Sequence, residues 1–129
     1  MTVSQPVQAK ALRGRINHCA GIAAEDAVAR RYVRAGSQVC ARRWRGGAGE
    51  IDLIVRERGC VVFVEVKAAR SFAAAATRIN RRQIERLFAA ATEFVAGEPS
   101  GQLTEMRFDV AMVDGHGDVR IMQNALMAM

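Results

Sequence analysis

Residues 49–67 restrict the fold of this chain more than any other stretch. Two runs rich in Val, Ile, Leu and Phe are separated there by a short polar break, Glu57-Arg58-Gly59. Apolar runs joined by a break that contains glycine predict a β-hairpin. If Arg58 and Gly59 form a two-residue turn, Glu57 lies opposite Cys60 and the register of every other pair is fixed.

This register brings charged residues together. Asp52 is predicted to lie opposite Glu65, and Glu50 opposite Lys67. Side chains alternate along a strand, so the apolar residues are predicted to share the other face. They form the pairs Ile51/Val66, Leu53/Val64 and Val55/Val62. Two opposed carboxylates repel each other unless a cation or a proton lies between them, and charge inside apolar strands is costly. The hairpin therefore predicts a metal site.

A hard divalent cation, Mg²⁺ or Mn²⁺, suits such a pair because it takes oxygen ligands, commonly one or two carboxylates with water and substrate phosphate. We predict Asp52 and Glu65 as its ligands. Lys67 follows on the same face, where its ammonium group can orient an attacking water and stabilise charge on a phosphate. Glu50 is predicted to support the site by holding Lys67.

A further acid comes from the first predicted helix, which runs from about Arg15 to Ala35 and ends at Gly36. Glu25 falls on the apolar stripe of this helix. The members of that stripe are Ile22, Ala29, Tyr32 and Val33. An acid directed at the core needs a partner, and two readings stay open: an ion pair with an arginine, or a catalytic acid that completes the metal ligands.

The remaining pattern predicts an α/β fold in which a mixed sheet is flanked by two main helices, in the order α-β-β-β-α-β with a further short strand. Residues 68–76 are predicted to form a mobile loop. The other predicted elements are a strand at 37–44, a helix from Thr77 or Asn80 to about Ala96, and strands at 104–113 and 119–122. We predict a disordered basic arm at 1–13, a single domain at 14–122 and a frayed tail at 123–129.

The net charge of +6 favours a polyanionic partner, and we predict a nucleic acid, DNA rather than RNA. Basic residues next to an aromatic ring such as Trp44 can contact phosphates and stack on bases. A solvated arginine cluster is the alternative. The candidate contacts are Arg42, Arg43, Arg45, Arg70, Arg78, Arg82, Gln83 and Arg86.

The three cysteines are odd in number and show no Cys-x-x-Cys spacing. They indicate reduced thiols in a cytoplasmic protein, not a disulfide framework or a zinc site. No apolar run is long enough to span a bilayer, so a membrane is not an expected partner.

A family resemblance is carried by the same residues. Asp52, twelve intervening residues and Glu65-Val66-Lys67 resemble the motif of the PD-(D/E)xK nuclease superfamily. A wider set resembles the YraN-like family, which is similar to archaeal Holliday-junction resolvases. That set comprises Gly21, Glu25, Ala29, Tyr32, Gly36, residues 49–54, residues 62–67, Arg86-Leu87 and residues 107–110.

The resemblance implies a restriction-endonuclease-like core over roughly residues 14–122. It also implies metal ligation by Asp52 and Glu65, a catalytic role for Lys67 and an accessory acid at Glu25. The chain departs from the usual family pattern in three ways, which affect the expected substrate contacts more than the expected ligands. The departures are Ala68-Ala69, which delay Arg70, together with Ala73 and Gln83.

Three function classes follow. The first is a metal-dependent endonuclease acting on DNA phosphodiesters, with branched or junction DNA as a candidate substrate. The second is a nucleic-acid-binding module that keeps the nuclease fold without catalysis. The third is a protein-interaction scaffold in which the acids form structural ion pairs. Symmetrical cutting of a two-stranded junction would require a homodimer.

Overall fold

The computed structural model describes the backbone of residues 5–125 and the side chains of residues 20–125. A long helix leads into a three-stranded antiparallel unit, and two helices connect this unit to a final strand pair. The elements are α1 (Gln5–Arg34), β1 (Gln38–Arg45), β2 (Glu50–Glu57), β3 (Cys60–Ala68), α2 (Phe72–Ala76), α3 (Arg81–Val95), a 3₁₀ turn (Gly101–Leu103), β4 (Met106–Val113) and β5 (Val119–Met122).

The hairpin has the predicted register. Glu57 pairs with Cys60, and the ladder runs from there to Leu53 opposite Val64. Arg58 and Gly59 both have positive φ, at 50° and 82°. Positive φ at both central residues is what a type I′ turn requires, and its twist matches that of the strands.

The five strands form one sheet in the order β1-β2-β3-β4-β5. Only β3 and β4 run parallel within it, and their connection carries α2 and α3 across one face of the sheet. Helix α1 covers the other face. The buried cluster on the α3 side includes Ile51, Ile54, Phe63, Leu87 and Val110. The cluster on the α1 side includes Val28, Tyr32, Leu53, Val64 and Ala111. The structure thus confirms a mixed α/β architecture.

One face assignment in the hairpin is wrong. Ile51 was predicted to lie beside Leu53, but it packs with Ile54 on the α3 side, whereas Leu53 packs on the α1 side. The alternation of side chains therefore breaks at Asp52. The break coincides with the end of the β2–β3 ladder, where regular pairing no longer determines the orientation of each residue.

Helix α1 also departs from the prediction. It begins at Gln5, well before the expected start near Arg15. Ile22 and Val33, predicted to be buried, are 36% and 56% exposed. The buried face is instead rotated around the helix axis and consists of Ala24, Glu25, Val28, Ala29 and Tyr32. Residues 1–4 of the predicted arm and 126–129 of the predicted tail lie outside the described residues.

Helix α2 lies inside the stretch that was predicted to be a loop. Ser71 caps it, because its hydroxyl accepts a hydrogen bond of 3.1 Å from the backbone N–H of Ala74. Helix α3 agrees with the prediction, including its cap. Asn80 Oδ1 accepts from the backbone N–H of Gln83 at 2.9 Å. Over residues 5–125, no helix combines the length and apolarity needed to cross a bilayer.

Candidate active site

Asp52 lies where strand β2 separates from strand β3. The ladder between the two strands ends at Leu53 and Val64. Just beyond that pair, Asp52 Oδ2 accepts a hydrogen bond of 2.8 Å from the backbone N–H of Val66. A carboxylate thus takes the place of a strand carbonyl as the acceptor for β3, and the Asp52 side chain is held at the opening between the strands.

Glu65 and Lys67 extend along β3 from this opening. They are two residues apart and therefore share a face. Lys67 Nζ lies 3.0 Å from Glu65 Oε1. The Lys67 side chain is only 13% exposed and that of Glu65 only 19%. The structure therefore brings Asp52, Glu65 and Lys67 close together at one end of the hairpin. The predicted cross-strand pair of Asp52 and Glu65 is not part of the ladder, which ends at Leu53 and Val64.

Glu50 does not hold Lys67, which corrects its predicted supporting role. It lies opposite Arg45 in the β1–β2 ladder and forms an ion pair with Arg45 Nε at 3.3 Å. The reason is the same opening of the hairpin: beyond Leu53, β2 continues to pair with β1 but no longer with β3.

The electrostatics of the opening disfavour a bare carboxylate. Burial, followed by the negative charge of Glu65, raises the pKa of Asp52 to about 7, and the hydrogen bond from Val66 opposes this change. A hard divalent cation relieves both causes, because it replaces lost hydration and compensates two charges. The oxygen donors present thus fit Mg²⁺ or Mn²⁺. Among the side chains of residues 20–125, no group of three His, Cys, Asp or Glu residues is arranged to hold a metal ion.

Glu25 has an arginine as its partner. Its carboxylate is buried on α1 and accepts a hydrogen bond of 2.7 Å from Arg43 Nε. A second ion pair lies beside it: Asp26, which follows Glu25, pairs with Arg42, which precedes Arg43. Of the two readings that the sequence left open, the ion pair is observed, and metal ligation by Glu25 stays a prediction.

A groove of about 820 Å³ adjoins these residues. Its helix wall consists of Glu25 and of small residues of α1, including Ala20, Gly21 and Ala24. The other lining residues come from the end of β3, from the segment that follows it and from the β4–β5 turn. They include Asp52, Val66, Lys67, Arg70, Arg78, Asp114 and Gly115. The groove therefore combines two carboxylates of the candidate site, Glu25 and Asp52, with three cations.

The predicted nucleic-acid contacts divide into separate places. Arg70 and Arg78 line the groove, and Arg78 Nη1 donates to the backbone oxygen of Ala68 at 2.9 Å. Arg82 and Arg86 are exposed on α3. The Arg42, Arg43 and Arg45 guanidinium groups pair with acids. Within the described part of the chain, the buried Oε1 of Gln83 has no hydrogen-bond partner.

The β4–β5 turn was not expected at this site. Gly115 donates its N–H to the backbone oxygen of Arg70 at 3.2 Å, so the turn and the segment after β3 form one rim of the groove. The order of the elements in the sequence could have predicted this position of the turn. Strands β3 and β4 run parallel, so the residues that follow them reach the same edge of the sheet.

Comparison with known proteins identifies relatives but names no reaction. The family model described as "Uncharacterised protein family UPF0102" matches residues 24–113, a range that contains all four predicted catalytic residues. A UPF0102 protein of Cereibacter sphaeroides is 59% identical over 117 residues, covering 91% of this chain and 100% of that protein. One from Ruegeria pomeroyi is 58% identical, with 92% and 97% covered. One from Dinoroseobacter shibae is 41% identical, with 97% and 93% covered.

Proposed function

The chain belongs to the uncharacterised protein family UPF0102, and from its site we propose that it is a metal-dependent endonuclease that cleaves DNA phosphodiesters, with branched or junction DNA as the substrate. One observation supports this above all: Asp52 and Glu65 converge with Lys67 where the hairpin opens. Carboxylates and an ammonium group in this arrangement suit metal-assisted attack of water on a phosphate.

Asp52 and Glu65 would hold the metal ion. When bound, Mg²⁺ or Mn²⁺ polarises a phosphoryl oxygen and makes a bound water more acidic. The hydrogen bond from Val66 fixes one oxygen of Asp52 and leaves the other oxygen of the carboxylate for this task.

Lys67 acts beside the carboxylates. Its ammonium group lies 3.0 Å from Glu65 Oε1, so it is held in one orientation before substrate binds. It can donate a hydrogen bond to the attacking water or to a phosphate oxygen, which stabilises the negative charge that develops during hydrolysis. Arg70 and Arg78, along the same groove, are suited to hold neighbouring phosphates of the strand.

Cleavage of labelled DNA tests the proposal. Purified protein with Mn²⁺ or Mg²⁺ is incubated with four-way junction, duplex and single-stranded DNA, and EDTA serves as the metal-free control. We expect cleavage that EDTA abolishes and that Asp52→Asn and Lys67→Ala lower by at least about 100-fold, as is common when one catalytic group is lost.

Glu105→Gln is the matched control for this experiment. Glu105 is exposed and precedes β4 at the end of the sheet opposite to the site. The variant removes one carboxylate charge, as Asp52→Asn does, and should cleave like the wild type. Intact DNA in every metal would contradict the proposed function.

The groove cations also favour a second candidate, a nucleic-acid-binding module without catalysis. Arg70 and Arg78 can bind phosphates whether or not Asp52 holds a metal ion. In that case DNA binding would be salt-dependent, would survive Asp52→Asn and would weaken in Arg70→Ala/Arg78→Ala.

A further inference from the structure

Arg43 has an unusual backbone conformation for a residue inside a strand. Its φ is +51°, in the left-handed region that residues other than glycine seldom adopt. Regular alternation would direct Arg42 and Arg43 to opposite faces of the sheet. Instead, both side chains reach acids on α1, whereas Ala41 and Trp44 on either side of them pack against the core on the α3 side.

Two observations link Arg43 to the candidate site: it hydrogen-bonds Glu25, which lines the groove with Asp52, and it lies between the ladder pairs Arg42/Leu53 and Trp44/Ile51, level with Asp52. The hydrogen bond to Glu25 raises the pKa of Arg43 most, and the charges of Glu25, Glu50 and Asp52 add to it. The arginine therefore lies within the field of the same acids that surround the hairpin opening. Local strain of this kind persists only where surrounding contacts enforce it, and it is concentrated at functional sites.

The pairing with Glu25 leaves part of the guanidinium group available. Glu25 accepts from Nε, and within the described residues neither Nη group of Arg43 has a hydrogen-bond partner. The Glu25 side chain is 11% exposed, whereas that of Arg43 is 38% exposed. The buried carboxylate thus anchors Nε of a partly exposed guanidinium group, whose two terminal nitrogens have the fork geometry that binds phosphate oxygens.

We propose that Arg43 contacts a substrate phosphate at the candidate active site and that Glu25 is the residue that positions it. The inference rests on the proposed nucleic-acid substrate and deepens it. It assigns Glu25 a role through Arg43 in place of metal ligation. Glu25 thereby links α1 to the site, because its carboxylate fixes the direction of a strained arginine on β1.

The test measures the affinity for a labelled DNA duplex and a four-way junction in EDTA over a series of salt concentrations. Each phosphate contact that is lost lowers the slope of log K against log salt by about 1. We expect this loss in Arg43→Gln. Arg58→Gln is its matched control: Arg58 has φ +50°, the substitution removes the same charge, and the residue lies in the turn at the other end of the hairpin.

Glu25→Gln separates positioning from simple charge. If Glu25 only adds negative charge near DNA, its neutralisation tightens binding. If it positions Arg43, binding weakens, by about 3- to 10-fold for the loss of one ordered phosphate contact, although the protein becomes more positive. Tighter binding by Glu25→Gln, or equal slopes for Arg43→Gln and Arg58→Gln, would overturn the inference.

Thermal unfolding of each variant guards against loss of the fold. If Arg43→Gln does not fold, Arg43→Lys is measured in its place. Lysine keeps the positive charge, but its single ammonium group cannot pair with Glu25 and at the same time bind a phosphate through two parallel hydrogen bonds. We then expect at least about threefold weaker binding at fixed salt, and wild-type affinity would overturn the inference.

The outcomes for the two proposals differ. Binding of DNA by the wild type without cleavage in any metal contradicts the nuclease and leaves the Arg43 inference to be decided by the slopes. Cleavage by the wild type with unchanged slope and affinity in Arg43→Gln supports the nuclease and overturns the inference. No DNA binding by the wild type overturns both.

Discussion

Asp52 shows at the level of one residue what the candidate site costs the fold. Its carboxylate is enclosed at the end of a ladder and lies close enough to Glu65 for the two charges to repel. One backbone N–H does not compensate for burial and for a like charge. An acid in such a position destabilises the metal-free protein, and a local cost in stability of this kind is typical of functional sites.

The free energy of unfolding should reveal this cost in its pH dependence. The pKa of Asp52 is about 7 in the folded protein, against 3.8 for the free side chain. Between these values the folded state binds more protons than the unfolded state, so the Asp52 contribution to stability falls as pH rises and is lowest above pH 7. Asp52→Asn removes this contribution. In EDTA it should be more stable than wild type by roughly 2–4 kcal/mol at pH 8, with a smaller difference at pH 5.

Urea unfolding of both proteins at pH 5, 6, 7 and 8 measures the difference, and Glu105→Gln, an exposed acid, serves as the control. The result also bears on the scaffold hypothesis. If Asp52 belonged to a structural ion-pair network, its neutralisation would lower stability at pH 8. A destabilised Asp52→Asn would therefore contradict the prediction and favour the scaffold.

At the level of the elements, the hairpin shows which features a sequence reveals. A two-residue turn and period-2 alternation determine register, so the convergence of Asp52, Glu65 and Lys67 was predictable. The misplacement of Ile51 was not, because it follows from a hydrogen bond between the Asp52 side chain and the Val66 backbone, which no local pattern encodes.

The helices show a second limit. Ile22 and Val33 are strongly hydrophobic, yet they stay exposed, and the helix buries Glu25 and alanines beside Val28 and Tyr32. The small side chains and the pair with Arg43 allow this face to approach the sheet closely. Helix α2 was missed since a run of alanines has no apolar period. In both cases tertiary contacts override local preference.

The β1–β2 loop offers a test at the same scale. Glu93 on α3 accepts hydrogen bonds from the N–H groups of Gly47 at 2.9 Å and Ala48 at 2.7 Å. A Cβ at Gly46 would lie 2.5 Å from Glu93 Oε2 and 2.7 Å from Cη2 of Trp44. We therefore expect Gly46→Ala to lower the free energy of unfolding by about 1–3 kcal/mol.

Gly21→Ala is the control for this substitution. Gly21 lies inside α1, and an added Cβ would meet nothing within 4 Å. The same chemical change should there raise stability, by up to about 1 kcal/mol. Thermal or urea unfolding compares the two variants. Equal effects of the two substitutions would contradict the assignment of the loop contact.

On the scale of the whole molecule, the hairpin contacts a second polar centre, which reaches from Asp109, beside Val64 in the sheet, to Glu57 next to the turn. The first centre is the candidate site. The second is a buried network in which Asp109 accepts from Tyr32 Oη at 2.7 Å and from Arg107 Nε at 2.9 Å, and Arg107 also contacts Glu57 at 3.2 Å. Asp109 has donors on several sides, whereas among residues 20–125 Asp52 accepts a hydrogen bond from one N–H. The network thus ties α1, β2 and β4 together, and the candidate site keeps an unsatisfied charge for a ligand.

Tyr32→Phe tests this division of roles. Burial, followed by the hydrogen bond to Asp109, raises the pKa of Tyr32, so its hydroxyl stays protonated and donates. Without that donor the fully buried Asp109 loses a partner, and the free energy of unfolding should fall by about 1–3 kcal/mol. Thr92→Val also removes a hydroxyl, from an exposed residue of α3, and should change stability by no more than about 0.5 kcal/mol.

Because the network is structural, DNA affinity measured below the unfolding temperature should be unchanged in Tyr32→Phe. Weaker DNA binding at unchanged stability would show instead that this network contributes to the function.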